Sequence, residues 1–167
     1  VYYQENVYRD YREILQTGLE CVGDLGDYEL AEVVLLAAKS LQLLGGPWVL
    51  DISHMGLLAA VLEGSGLTQE QQNRAMEYLH RKNFHQLEAL CQGNGAWEKL
   101  SAIAACHGGR EALEQIAALL TTQEERQALA QLEGLWSVLE AYGCADCVRL
   151  DFSVGNNMRY YSGVVFR

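Results

Sequence analysis

Five polar or aromatic side chains near the two ends of the chain have the chemistry needed to hold an amino acid. Residues 11–20 read YREILQTGLE and residues 156–167 read NNMRYYSGVVFR. A carboxylate and an amide on one strand face can receive an ammonium group, an arginine can receive a carboxylate, and tyrosines can line a flat ring. The same spacing also fits a sheet whose exposed face is merely polar. The candidates are Arg9, Gln16, Glu20, Tyr160 and Tyr161.

Three predicted strands carry these candidates. Residues 1–9 are rich in aromatic and β-branched residues, which favours a strand ending at Arg9. In residues 11–22, a period of two places Gln16 and Glu20 on one face, although a helix would also bring these two together. A final strand over residues 159–167 follows an Asn-Asn turn and carries both tyrosines.

The middle of the chain is predicted to be mostly helical. Asp27 is the expected N-cap of a first helix, which stops at residues 45–47, Gly-Gly-Pro. Capping boxes at Thr68 and Thr122 support helices throughout residues 67–142, which read as a helical insertion. A short strand before His54, a helix at about residues 55–63 and a strand over residues 147–154 complete the pattern.

Composition and charge limit the possible functions. The 167 residues are 50% apolar, so they can bury one core, and we predict a single domain over residues 1–167. The 12 Lys and Arg residues against 22 Asp and Glu give a net charge of −10, which repels phosphate backbones. No apolar run reaches the roughly 18 residues of a membrane span. We therefore expect neither a role as a lone RNA or DNA binder nor a membrane partner.

The cysteines and histidines predict no metal or other cofactor. Five cysteines without a secretory signal indicate reduced thiols in a cytoplasmic protein. Cys144 and Cys147 form a single Cys-x-x-Cys, which is a weak zinc signal without a second ligand pair. His80 and His85 lie among polar residues and are expected to be exposed. His54 is either a ligand or a capping residue, and capping is the favoured interpretation.

Two motifs, in order along the chain, resemble a known family. VYR followed by DYREILQTGLECVG is similar to motif 2 of class II synthetases in its histidyl version, and MRYYSGVVF resembles the histidyl-specific tyrosine motif. The resemblance covers nearly the whole chain. It implies an α+β fold, namely a class II aminoacyl-tRNA synthetase-like antiparallel sheet backed by helices, with a helical insertion, present here as a partial core.

The resemblance also implies roles for the five candidates. Gln16 and Glu20 would hold the amino group and imidazole region of histidine. Tyr160 and Tyr161 would form the pocket walls. Arg9 matches the motif 2 arginine, which in a synthetase faces the substrate carboxylate and the ATP α-phosphate.

Two departures from the synthetase pattern argue against catalysis. The last motif of a synthetase begins with an arginine that stabilises charge on the reacting groups, and Asn156 stands at that position here. Losing such a preorganised charge costs several kcal/mol as an order of magnitude. The loop between Arg9 and Asp10 that normally carries an ATP-binding acidic residue is also absent. No catalytic residue is therefore predicted.

The departures are similar to those of a synthetase paralogue, the regulatory subunit family of ATP phosphoribosyltransferase. The "GH-x-G" turn and following helix of that family resemble DISHMGLLAAVLEGSGL in this sequence. This resemblance implies a non-catalytic subunit of histidine biosynthesis that binds L-histidine, activates the short catalytic subunit and carries feedback inhibition, as a homodimer within a hetero-oligomer. The alternative is the catalytic core of a histidyl-tRNA synthetase, which would form histidyl-adenylate. A third possibility is a fragment that binds nothing.

Overall fold

The computed structural model describes residues 1–92, 96–155 and 161–167. This described part contains seven α-helices and six strands, in two separate sheets. The elements are β1 (Tyr2–Arg9), β2 (Arg12–Leu19), α1 (Asp27–Leu44), β3 (Leu50–His54), α2 (Met55–Glu63), α3 (Gln69–His80), α4 (Phe84–Cys91), α5 (Ala96–Ala105), β4 (His107–Gly108), α6 (Arg110–Ala117), α7 (Gln123–Ala141), β5 (Val148–Asp151) and β6 (Val164–Phe166).

The first sheet is a hairpin of β1 and β2. Asp10 and Tyr11 form its two-residue turn with φ angles of 50° and 62°, the positive values of a type I′ turn. The strands pair antiparallel from Tyr2 opposite Leu19 to Arg9 opposite Arg12. Both predicted strands are confirmed, and the helical alternative for residues 11–22 is wrong.

The second sheet has the strand order β4-β5-β3-β6. Strand β3 runs parallel to β5 and antiparallel to β6, while β4 and β5 are antiparallel. The second sheet is thus mixed rather than fully antiparallel, which is one of the two arrangements that the order of strands and helices along the sequence suits. Parallel neighbours need a long crossover connection, and the helices α2 to α7 between β3 and β5 provide it.

One continuous core joins the helices to the second sheet. Helix α7 packs against both α1 and α2. Apolar residues of β3 and β5 meet the buried sides of these helices, because alternate strand residues point to one face. Fully buried members of this core include Val34, Ile52, Leu57, Leu58, Leu132, Leu139, Leu150 and Phe152. Among the described residues, no helix is long and apolar enough to cross a membrane.

Several predicted boundaries shift. Residues 67–142 are not helical throughout, because β4 interrupts them at Gly108, whose φ of +127° does not fit a helix. Strand β5 ends at Asp151 rather than residue 154, since its carboxylate accepts hydrogen bonds from the amide and hydroxyl of Ser153, at 2.8 and 2.5 Å. Within residues 161–167, the predicted last strand forms only over the three residues of β6.

The capping pattern is confirmed at two helices and corrected at one. Thr68 with Gln71 and Thr122 with Glu125 form the predicted capping boxes of α3 and α7. The N-cap of α1 is Gly26 rather than Asp27, and the Glu29 carboxylate accepts from the Gly26 amide at 2.8 Å. Asp27 is therefore the first helical residue, and its side chain is available for a different contact.

Candidate functional site

One face of the β1–β2 hairpin carries three of the five candidates. Gln16 lies opposite Glu5, and Arg9 lies opposite Arg12. Directly opposed residues of antiparallel strands share a face, and so do residues two apart. Two hydrogen bonds between the backbones of Val1 and Glu20, at 2.8 and 2.6 Å, extend the pairing past the strand ends. Arg9, Gln16 and Glu20 therefore share one face, as the period of two predicts.

The distances along this face divide the three candidates between two separate binding positions. At about 3.3 Å per residue, the Cα atoms of Gln16 and Glu20 lie roughly 13 Å apart. Arg9, opposite Arg12, lies a similar distance beyond Gln16 on the other side, by the same rise of about 3.3 Å per residue. The side chains of Gln16 and Glu20 can reach opposite ends of one free amino acid. Arg9 is too distant from Glu20 to share a ligand of that size.

Tyr3 is a site residue that sequence reasoning missed. It lies opposite Gly18, which sits between Gln16 and Glu20 on the same face. A Cβ atom added to Gly18 would lie 2.2 Å from Cζ of Tyr3, so the ring covers the glycine directly. An aromatic ring thus forms a flat apolar floor between the amide and the carboxylate. The signal in the sequence is an aromatic residue cross-strand from a glycine, but it is visible only once the register is known.

The hairpin face is open in the described part of the chain. Arg9, Gln16 and Glu20 are exposed, while Tyr3 and Gly18 are half-buried. Exposed polar groups remain hydrated, so a ligand gains affinity here only where the ring of Tyr3 and its neighbours exclude water. Gln16 and Glu20 beside that ring are the part of the face best suited to binding.

Tyr161 lies outside the hairpin, in the segment just before β6 and close to the start of α2. It precedes β6 and is 46% exposed. The amide of Met55 donates to the carbonyl of Gly163 at 2.8 Å, and a Cβ added to Gly56 would lie only 2.6 Å from the carbonyl oxygen of Ser162. The Tyr161 segment is therefore held against the β3–α2 junction. Asn156 and Tyr160 lie outside the described residues.

His54 has the structural role that the sequence favoured. It is the N-cap of α2, and its Nδ1 atom accepts a hydrogen bond from the Leu57 amide at 3.1 Å. Its Nε2 atom lies 2.8 Å from Oε1 of Gln131. Burial lowers the pKa of His54, although the hydrogen bond to Gln131 opposes that shift. The neutral ring therefore caps α2.

His80 is not exposed, contrary to the sequence prediction. It is half-buried at the end of α3, and its Nε2 atom has no hydrogen-bond partner among the described residues. The ring lies so close to Gly155 that an added Cβ there would come within 1.7 Å of Nε2. Burial lowers the pKa of His80. His85 is exposed, as predicted.

The thiols show no bridging and no metal geometry in the described part of the chain. All five cysteines are unbridged. Cys21 is exposed, Cys147 is half-buried, and Cys91, Cys106 and Cys144 are buried. The described residues contain no group of three or more His, Cys, Asp or Glu side chains able to hold a metal ion.

Similar proteins share sequence and fold with this chain. A regulatory subunit of ATP phosphoribosyltransferase from Thermus thermophilus is 35% identical over 160 residues, covering 93% of this chain and 43% of that protein. A solved ATP phosphoribosyltransferase regulatory subunit/histidyl-tRNA synthetase from Bacillus halodurans is 30% identical, with a TM-score of 0.87 over 99% of this chain and 46% of its own.

A more distant structure shares the fold. The HisG:HisZ complex of ATP phosphoribosyltransferase from Thermotoga maritima matches with a TM-score of 0.76 at 17% identity, over 99% of this chain and 61% of that chain. The chain spans less than half the length of the Thermus and Bacillus relatives. These matches confirm the synthetase-like fold and its presence as a partial core. The histidyl-tRNA synthetase family matches residues 1–167, and the chain belongs to that family.

Proposed function

We propose that the chain is the core of a cytoplasmic, non-catalytic regulatory subunit of ATP phosphoribosyltransferase that binds L-histidine. The observation that carries the proposal is the hairpin register, which places Gln16 and Glu20 on one face with the Tyr3 ring between them. The relative from Thermus thermophilus, named as such a subunit, matches 93% of the chain.

The proposed pocket matches the chemistry of histidine. The amide of Gln16 and the carboxylate of Glu20 supply acceptors for the two nitrogen-bearing ends of the ligand. The imidazole ring lies over the flat ring of Tyr3, and the resemblance to the synthetases assigns Tyr160 and Tyr161 as further residues of the pocket wall. Arg9, near the turn, belongs to a neighbouring place on the face and attracts a carboxylate or phosphate there.

Two features favour regulation over adenylate formation. Asn156 stands where the last motif of a synthetase carries the arginine that stabilises charge on the reacting groups. The turn between β1 and β2 holds only Asp10 and Tyr11, so it has no loop to fold over ATP. An active site for phosphoryl-type chemistry needs preorganised positive charge at the reacting oxygens. The remaining candidate side chains are therefore better suited to binding a ligand than to forming an adenylate.

Regulation requires a partner, and we propose the short catalytic subunit of ATP phosphoribosyltransferase. The regulatory name of the relatives implies such a subunit, and the Thermotoga maritima assembly contains the same fold. The proposed assembly is a hetero-oligomer built on a homodimer of this protein, with no tRNA. Histidine then controls activity only through different affinities for the active and inhibited assemblies.

The test is a calorimetric titration of L-histidine into the full-length protein, with and without ATP and Mg²⁺. We expect binding that ATP does not change. The variant Glu20→Gln should bind about 10- to 100-fold more weakly, because a hydrogen bond to a charged group contributes roughly 1.5–3 kcal/mol. Glu13→Gln is the matched control, since Glu13 lies on the opposite face of β2, where the Tyr8 hydroxyl donates to its carboxylate at 3.4 Å.

Two outcomes would contradict the proposal. Histidine-dependent exchange of pyrophosphate into ATP would identify a synthetase. Absence of binding, or equal weakening by Glu13→Gln and Glu20→Gln, would mean that this face of the hairpin is merely polar.

A further inference from the structure

A chain of hydrogen bonds crosses the molecule beside the tyrosine segment. His54 Nε2 lies 2.8 Å from Gln131 Oε1, and Gln131 Nε2 donates to Asp27 Oδ1 at 2.7 Å. Three elements meet here, because His54 ends β3, Gln131 lies in the middle of α7, and Asp27 begins α1. His54 is buried, Gln131 is half-buried and Asp27 is exposed, so this chain of hydrogen bonds runs from the core to the surface.

The direction of these hydrogen bonds is fixed. Because the Leu57 amide donates to His54 Nδ1, that nitrogen carries no proton and the ring proton is on Nε2. Nε2 therefore donates to the Gln131 carbonyl oxygen, which leaves the Gln131 amide nitrogen to donate to Asp27. Both ring nitrogens of His54 and both polar atoms of the Gln131 amide therefore each have a hydrogen-bond partner of the matching donor or acceptor type. Gln131 is thus held by both ends of its amide group.

Each end of this chain of hydrogen bonds lies at the start of a helix. Asp27 begins α1, after the exposed residues 21–26 that follow the hairpin. His54 lies two residues before Gly56, where an added Cβ would lie only 2.6 Å from the Ser162 carbonyl oxygen, next to Tyr161. The hydrogen bonds through Gln131 therefore connect the first turn of α1 with the β3–α2 junction and the Tyr161 segment.

We propose that Gln131 is a positioning residue that holds the start of α1 and the segment carrying Tyr161 in fixed relation. The inference rests on the proposed function, in which Tyr161 lines the histidine pocket. Gln131 touches no ligand itself. It acts through His54 on the start of α2 and through Asp27 on the start of α1.

Gln131 also lines an open cleft of about 510 Å³, together with Asp27, His54, Glu124 and Gln127.

The test compares Gln131→Ala with Gln127→Ala in the full-length protein. Gln127 lies one helical turn away on α7 and lines the same cleft, which makes it a matched control. Hydrogen exchange without histidine is the first measurement. In Gln131→Ala we expect exchange about five-fold faster both in residues 26–30 and at Leu57 and residues 161–164, since a neutral hydrogen bond contributes about 1 kcal/mol. Gln127→Ala should leave both segments unchanged.

Calorimetry is the second measurement. Histidine should bind several-fold more weakly to Gln131→Ala and to Asp27→Ala, which breaks the chain at its exposed end, and normally to Gln127→Ala. Unchanged exchange at either segment in Gln131→Ala would overturn the inference, whether or not histidine binds. Altered exchange in a protein that binds no histidine would support the coupling and refute the proposed function separately.

Discussion

At the scale of single residues, His54 shows how burial and hydrogen bonding fix a charge state. Burial lowers its pKa below the ordinary value of 6.5, and Leu57 and Gln131 satisfy both ring nitrogens of the neutral form. Protonation of Nδ1 would remove the acceptor for the Leu57 amide. The N-terminus of α2 would then lose its cap, because no other side chain caps it.

We therefore expect stability to fall in mild acid. The unfolded chain takes up a proton near pH 6.5, before the folded His54 does, so the stability contributed by the neutral ring is present above pH 6.5 and lost as the pH falls through the lower folded pKa. The slope for one such group is at most about 1.4 kcal/mol per pH unit. His80, whose pKa is also lowered, adds to it. Urea unfolding at pH 7.5 and pH 5.5 measures the loss.

The variant His54→Asn separates this effect from general acid sensitivity. Asparagine is a good N-cap and does not titrate, so the variant should lose less stability than the native protein between the two pH values. Substitution of the exposed His85 by asparagine is the control and should leave the loss unchanged. Equal losses in native protein and His54→Asn would assign the effect to other groups.

The candidate site was predictable from sequence only where local spacing decides the geometry. Gln16 and Glu20 share a face because they are four residues apart in one strand. Tyr3 and Gln131 were not predictable, since the first depends on the register of β1 against β2 and the second contacts His54 across 77 residues. Such contacts are set by tertiary packing, which leaves no periodic trace in the sequence.

At the scale of secondary-structure elements, two helical glycines should respond in opposite directions to alanine. Gly56, in α2, packs against the Ser162 backbone and against the His54 ring, which an added Cβ would approach to 2.6 and 3.0 Å. A Cβ atom added to Gly134, in α7, would instead lie in open space. Alanine favours helix by about 1 kcal/mol over glycine, so Gly134→Ala should raise the melting temperature.

Gly56→Ala should instead lower the melting temperature, because the Ser162 carbonyl is backbone and cannot move aside without disturbing β6. The expected cost is about 1–3 kcal/mol, as for overpacked cores. Scanning calorimetry of both variants gives the comparison. A rise in melting temperature for Gly56→Ala would show that the β3–α2 junction and the Tyr161 segment are not in close contact.

The elements themselves were largely predictable, and their ends were not. Helix α2 has the predicted bounds of residues 55–63, and both threonine capping boxes form. The end of β5 depends on the Asp151 side chain competing for the Ser153 amide. The start of α1 depends on Glu29 capping Gly26, which displaces Asp27 from the cap. In both cases a side chain, rather than hydrophobic periodicity, decides where the element ends.

At the scale of the whole molecule, the helical insertion shares its core with the sheet. Buried residues of α3 to α7 belong to the same cluster as those of β3 and β5. We expect amides of α5 and of β3 to exchange through one common unfolding event, with equal opening free energies as denaturant rises. Native-state hydrogen exchange measures these energies. A lower value for all of α3 to α6 would reveal a separate domain.

The order of elements along the sequence suits an antiparallel or a mixed sheet and does not decide between them, for a topological reason. Alternation identified β3 and β5 as strands, but their mutual direction depends on how the intervening helices return the chain. The resemblance to synthetases gave the fold, while pairing and direction became visible only in three dimensions. The composition, with its net charge of −10, limited the partners without naming one.

The distribution of the thiols makes the chain a convenient optical sensor. Of its five cysteines, all within the described residues, Cys21 is exposed and adjoins Glu20, whereas Cys91, Cys106 and Cys144 are buried. Maleimide dyes react fastest with accessible thiols, so a fluorophore attached under mild conditions will lie beside the proposed ligand carboxylate. We expect the emission of this fluorophore to change when histidine is added, without any engineered labelling position.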